Sequence, residues 1–315
     1  MIVSILFIAL ALVILTYGAN WLVQGSSSLA LRCGLTPLAV GLTVVAFGTS
    51  APELVVSLKA VLSGQDDLAV GNVIGSNIFN IAVILGVTAL ICPMRVEPQV
   101  IKIDAPIMIA FSLLGAFFLL DLQISRMEAV LFLAFLVAYI VFSYWLARKT
   151  HNSKLESEFA ESMPKEPGSV PFNILAILGG LLLLVIGGRL LVDNAVSLAR
   201  IMGLSEAIIG LTIVAAGTSM PELATSVVAA WKKEPEIAIG NIVGSNIFNV
   251  LCILGVCAAI HPIESPGLRL TDLMVMLAFS LVLLPLLATG FTLKRWEGSL
   301  LLGGYGIYLF CMWPK

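Results

Sequence analysis

Long apolar runs separated by short polar breaks follow one another along the whole chain, at 2–26, 36–62, 68–91, 103–122 and 127–147, then at 172–194, 205–230, 236–260, 270–290 and 296–313. Crossing roughly 30 Å of hydrocarbon takes about 20 helical residues, and each of these runs is near that length or longer. They are too long and too evenly apolar for barrel strands, and a spanning segment must satisfy its own backbone amides, so the pattern predicts helices. The expected fold class is all-α: a polytopic membrane protein of ten transmembrane helices, five in each half. The first run starts at Met1 but has no basic n-region and no small-residue cleavage site, and it continues through Tyr17, Asn20 and Trp21. It therefore reads as a retained helix rather than a signal peptide. Composition points the same way, with 59% hydrophobic and 11% charged residues and a mean hydropathy of +1.06.

The two sets of five runs contain a repeat. Gly41–Val87 aligns on Gly210–Val256 at a constant offset of 169 positions without a gap, and 26 of the 47 pairs are identical. Residues 1–147 then form the first half with its repeat at 41–87, and 172–315 the second half with its repeat at 210–256. The polar stretch between them, 148–171, carries the charged and Ser/Pro-rich string RKTHNSKLESEFAESMPKEPGSVP and reads as a linker too short to hold a domain. Five spans per half bring the second copy into the membrane from the opposite face, so the repeats are expected to be inverted.

The basic residues set the expected orientation. With both termini outside, the loops left inside carry Arg32, Arg95, Lys102, Arg148, Lys149, Lys154, Lys165, Lys232, Lys233, Lys294 and Arg295, which is 11 of the 17. Positive charge accumulates on the cytoplasmic side of membrane proteins, so the central linker is placed in the cytoplasm.

The identities cluster in GTS-x-PEL, at Gly48–Leu54 and Gly217–Leu223, and in GN-x-x-GSNIFN, at Gly71–Asn80 and Gly240–Asn249. A carboxylate near the middle of a span costs about 3 kcal/mol on insertion scales. Two at equivalent positions, Glu53 and Glu222, therefore call for a compensating cation. Pro52 withholds an amide and Gly48 lowers the cost of unwinding, so carbonyls near Ala46 and Thr49 are expected to be freed as ligands. Ala215, Thr218, Ser219 and Pro221 repeat the arrangement beside Glu222. With Ser50, Ser76, Asn80, Ser245 and Asn249 the candidate set offers carboxylate, hydroxyl, amide and backbone oxygens. Hard cations such as calcium and sodium take such ligands, whereas zinc or copper would call for His and Cys. Close helix packing accounts equally well for the glycines and for Ser57 and Ser226, and interhelical bonding remains open for Asn80 and Asn249.

Other chemistry finds no support in the sequence. Cys33, Cys92, Cys252, Cys257 and Cys311 show no metal spacing and read as small hydrophobes. His151 and His261 have no acidic or thiol partner at ligand spacing. GNVIGSN lacks the Lys of a phosphate loop.

The paired strings, inverted within ten spans, resemble the alpha-repeats of the calcium/cation antiporter superfamily, and most closely those of its prokaryotic sodium/calcium exchangers. The resemblance covers the whole chain. It implies four clustered ion sites at the midplane, with calcium held by Glu53, Glu222 and the backbone oxygens of Thr49 and Thr218. It implies sodium ligands at Ala46, Ser50, Ser76, Ala215, Ser219 and Ser245, with Asn80 and Asn249 completing the cluster. It also implies that the first and sixth spans slide as a pair over a fixed core. Relatives in the superfamily carry Asp where this chain has Asn249, so the site here has two formal charges, which match one divalent cation and weaken the case for potassium co-transport.

The expected function is secondary antiport of sodium for calcium by alternating access in a prokaryotic inner membrane. The protein would act as a monomer in the lipid bilayer, with no cofactor, no nucleic-acid partner and no covalent chemistry. A proton/calcium antiporter is the alternative within the class. A cation channel would use the same carboxylates but more often builds its pore from symmetric subunits, and an intramembrane hydrolase would need a base beside Ser50 or Ser219, where only Glu53 or Glu222 stands.

Overall fold

A computed structural model describes residues 2–33, 35–150, 169–202 and 215–312. Among these the chain is helical almost throughout. In order, the elements are α1 (Ile2–Cys33), α2 (Pro37–Thr49), α3 (Ala51–Leu62), α4 (Asp66–Ile91), β1 (Met94–Arg95), α5 (Val100–Asp121), β2 (Gln123–Ile124) and α6 (Arg126–Thr150). The second half continues with α7 (Val170–Ile201), α8 (Ala215–Gly217), α9 (Met220–Trp231), α10 (Pro235–Ile260), β3 (Ile263–Glu264), α11 (Leu270–Phe291), β4 (Thr292–Leu293) and α12 (Arg295–Met312). Among the described residues seven helices are long and apolar enough to cross a membrane, or eight if α2 and α3, which meet at a bend of 43°, count as one broken span. Of the two remaining expected spans, 205–230 begins outside the described residues, and 296–313 corresponds to α12, 18 residues long. Most of the linker, 151–168, also lies outside them.

The bend follows from the sequence. Ser50 leaves the helical region (φ −82°, ψ 3°) directly before Ala51 and Pro52, and Ser219 does the same (φ −88°, ψ 10°) before Met220 and Pro221. A proline tolerates the first turn of a helix and not its interior, so each half has its helix broken beside its carboxylate.

Two layers result. The inner one centres on α4 and α10, with 72% and 89% of their most apolar windows buried. In the outer one, α1 and α7 run antiparallel and approach closely at Gly18 and Gly180. A Cβ on Gly180 would stand 2.7 Å from the Gly18 carbonyl oxygen and the Leu22 amide nitrogen, so no side chain fits there.

The short strands show how the halves are related. The offset of 169 equates β1 with β3 and β2 with β4, and the pairs formed are β1 with β4 and β2 with β3, both antiparallel. Each strand thus pairs with the counterpart of the other strand of its own half, once at each end of the bundle, as inverted repeats require. The carboxylates that open α4 fasten one of these ends. Asp66 accepts from the Glu264 amide at 2.9 Å, while Asp67 accepts from the Ser265 hydroxyl at 2.8 Å and the Gly267 amide at 2.9 Å.

Candidate cation site

The helix breaks carry Glu53 and Glu222 into the buried centre, each 1% exposed. Their bonds cross between the halves. The Ser50 hydroxyl donates to Glu222 Oε1 at 3.0 Å, and the Ser219 hydroxyl donates to Glu53 Oε1 at 2.9 Å. Ser219 also lies 3.4 Å from the Ser76 hydroxyl, which brings α4 to the same point. The Thr49 hydroxyl, fully buried, reaches Asn241 Oδ1 at 3.0 Å.

Two asparagines that the sequence reading did not single out brace this arrangement. Asn72 Nδ2 donates to the Glu53 carbonyl at 3.3 Å and to the Ser57 hydroxyl at 3.0 Å, and Asn241 Nδ2 donates to the Glu222 carbonyl at 3.5 Å and to the Ser226 hydroxyl at 3.1 Å. Ser57 and Ser226, for which packing and a polar role are equal readings of the sequence, are thus the second acceptors of these braces. Both asparagines belong to the GN pair of the second repeated string, and their recurrence at the same offset was the available signal.

Ala46 lies one turn before the break at Ser50. Its carbonyl already accepts from the Ser50 amide at 3.0 Å and from the Thr49 hydroxyl at 3.3 Å. The missing Pro52 N–H is the one that would have met the carbonyl four residues back, at Gly48, which lies between Ala46 and Thr49. Ala215, the equivalent of Ala46, lies in α8.

Asn80 and Asn249 each open a π-helical segment, Asn80–Ile84 and Asn249–Leu254. Such turns widen a helix locally and often accompany functional sites. Each lies one turn beyond a candidate serine, Ser76 and Ser245, both buried.

Several buried oxygens in this cluster have no hydrogen-bond partner among the described residues: Oε2 of Glu53 and of Glu222, Oδ1 of Asn80 and of Asn249, Oγ of Ser245 and Oγ1 of Thr218. A buried acceptor left unmade costs about 1–3 kcal/mol, and a charged one more. An all-oxygen set of this kind suits a hard cation. Among the described residues no three His, Cys, Asp or Glu side chains group together, so the site's formal charge is that of its two carboxylates.

A cavity of about 270 Å³ leads to this region between the layers. Its wall includes Pro52 and Val55 of α3, Arg189 and Asp193 of α7, and Thr218 and Pro221 beside Glu222. Along α3 and α7 it points toward the end of the bundle that carries β2 and β3.

Comparison with known proteins places this geometry. A family described as sodium/calcium exchanger protein matches residues 3–145 and 172–313. The chain is 37% identical to the inner membrane protein YrbG of Escherichia coli strain K12, over 98% of this chain and 96% of that one. It is 32% identical to the sodium/calcium exchanger MaX1 of Methanosarcina acetivorans, over 98% and 97%. A solved structure of the sodium-calcium exchanger NCX_Mj superposes with a TM-score of 0.84 at 29% identity, covering 99% of both chains. The chain is an integral membrane protein, and it belongs to the sodium/calcium exchanger family.

Proposed function

We propose that this protein exchanges sodium for calcium across a prokaryotic inner membrane by alternating access, with both termini outside and calcium driven out by sodium moving in. The observation that carries the reading is the reciprocal pair of bonds between halves. Ser50 holds one oxygen of Glu222, Ser219 holds one oxygen of Glu53, and each carboxylate keeps its second oxygen buried without a partner among the described residues. Two carboxylates balance one calcium ion. The same oxygens also serve sodium ions, so the two cargoes compete for one cluster, and competition for a shared site is what couples their movement.

In this reading calcium is held by Glu53 and Glu222 with the backbone oxygens of Thr49 and Thr218. Sodium is held by Ser50, Ser76, Ser219 and Ser245 with backbone oxygens at Ala46 and Ala215, and Asn80 and Asn249 complete the cluster. The halves 1–147 and 172–315 act as two inverted units joined by the linker 148–171, ten spans in all, in a monomer that needs no cofactor. The cavity beside Arg189 and Asp193 gives the cluster its route to the outer face, and α1 with α7 moves over the core to transfer access to the other side.

The test is calcium flux in reconstituted vesicles. Flux should require a sodium gradient, saturate, and reverse when the gradient is reversed. Glu53→Gln and Glu222→Gln preserve shape and remove one charge from a site that must balance a divalent ion, so each should abolish flux in a folded protein. Near wild-type flux in both variants would overturn the assignment, and flux driven by a pH gradient without sodium would replace sodium by protons as the coupling ion.

A further inference from the structure

Beyond the residues assigned to the cations, the core contains a second tier of amides whose arrangement decides which atom of Asn80 and Asn249 faces the site. An asparagine side chain has an oxygen at one tip and an NH₂ at the other, nearly identical in shape, and only the oxygen can ligate a cation. Something must choose between the two orientations.

The choice is made across the halves. Asn80 Nδ2 donates to Asn246 Oδ1 at 3.0 Å, and Asn249 Nδ2 donates to Asn77 Oδ1 at 2.9 Å. All four asparagines are 1% exposed, so water does not compete for these groups. Asn77 and Asn246 are fixed in turn by what receives their own NH₂ groups. Asn246 Nδ2 points at Met108 Sδ, 3.6 Å away on α5, and Asn77 Nδ2 points at Met276 Sδ, 3.8 Å away on α11, and at the Asn246 carbonyl at 3.4 Å. A thioether accepts and cannot donate. With its NH₂ committed to sulfur, Asn246 presents only its oxygen to Asn80, and Asn80 answers with its NH₂. Its own Oδ1 is thereby left buried without a partner among the described residues, as is that of Asn249.

We propose that Asn77 and Asn246, backed by Met276 and Met108, are positioning residues that lock the amides of Asn80 and Asn249 oxygen-first toward the transported cation. Reversing one amide of a relay would set oxygen against oxygen or NH₂ against NH₂ in a dry interior, so each chain of groups holds one polarity from the methionine to the site. The inference rests on the exchange reading, because it needs a cation at Asn80 and Asn249.

A double-mutant cycle on cation affinity tests it. Asn246→Leu keeps the approximate volume and removes the acceptor for Asn80. Sodium affinity should fall about tenfold, which is about 1.4 kcal/mol. In an Asn80→Ala background the same change should have little further effect, since Asn246 acts only through Asn80. Met108→Leu is a milder change that touches no cation ligand. It should lower affinity by about threefold, and the Asn80→Ala background should again suppress the loss. Undiminished losses in the Asn80→Ala background, or wild-type affinity in a folded Asn246→Leu protein, would overturn the relay. Should Asn246→Leu fail to fold, the Met108→Leu cycle decides alone by the same criterion. The cycle is run with calcium and with sodium. A wild-type protein that binds sodium but not calcium sinks the exchange reading while the relay is still read with sodium, and one that binds neither sinks both.

Discussion

The inner and outer layers are held together by different means. In the core, side chains bond across the two halves at every level, with serine to carboxylate, asparagine to asparagine, and aspartate to the opposite loop. The outer pair, α1 and α7, is joined by glycine backbones lying against one another, and only 28% of each helix's most apolar window is buried. Polar bonds are directional and lose most of their value when displaced, whereas smooth apolar surfaces can shift with little change in contact. In the proposed reading the core therefore holds the cations and the outer pair moves.

The sharpest way to break that contrast is to roughen the outer pair. Gly180→Leu places a branched side chain where backbone atoms of Gly18 and Leu22 stand 2.7 Å from the first added carbon, so the helices must separate. Overpacking of this kind costs about 1–3 kcal/mol. Calcium flux in vesicles should drop by at least tenfold, on the order of 1.4 kcal/mol or more in the rate of transfer. Equilibrium calcium binding should stay near wild type, because no core bond is touched. Loss of binding together with flux would show that the layers are one cooperative unit.

A smaller effect is expected within the core. Ser50→Ala and Ser219→Ala each delete one donor to a buried carboxylate and one hydroxyl assigned to sodium. The sodium concentration for half-maximal flux should rise about fivefold, as one net hydrogen bond or ligand of about 1 kcal/mol implies. The calcium requirement should change less, since both carboxylates remain. Equal changes for the two ions would mean that the serines only orient Glu53 and Glu222. Agreement between the two variants checks the equivalence of the halves at the same time.

The same contrast explains what could be read in advance. Glu53 and Glu222 were legible because a charge in the middle of an apolar run is too costly to be incidental, and Pro52 and Pro221 marked the breaks beside them. The spans were legible for a similar reason, since hydrocarbon leaves the backbone few options. Asn77 and Asn246 sat in plain view inside the repeated string, but their role depends on which residue of the other half they meet and on Met108 and Met276, which belong to no repeated string. The bond from the Ser50 amide to the Ala46 carbonyl has no signature in the sequence, because it depends on where the helix breaks. The π-helical openings at Asn80 and Asn249 have no signature in hydrophobic period, because one widened turn shifts it too little.

The smallest expected effect lies where the layers are tied. Near the end of the bundle opposite the cavity, the hydroxyl of Ser27 on α1 donates to Glu234 Oε2, in the short turn between α9 and α10. Burial pushes the Glu234 carboxyl up to about 7, with Ser27 and Lys232 opposing the shift and Glu236 adding to it. A carboxyl whose folded value lies above its unfolded one holds a proton in the folded protein that the unfolded chain has already released. Stability is then lost as pH rises from the ordinary carboxylate range through about 7. Between pH 6 and pH 8 that loss amounts to about 1 kcal/mol for this one group. Thermal unfolding of the purified protein in detergent should therefore show a lower Tm at pH 8 than at pH 6. Glu234→Gln should remove that part of the slope, since it keeps an acceptor for Ser27 and carries no charge at either pH. If the variant and the wild type lose stability in parallel, Glu234 titrates as an ordinary surface carboxylate, and the tie between α1 and the core is insensitive to protons.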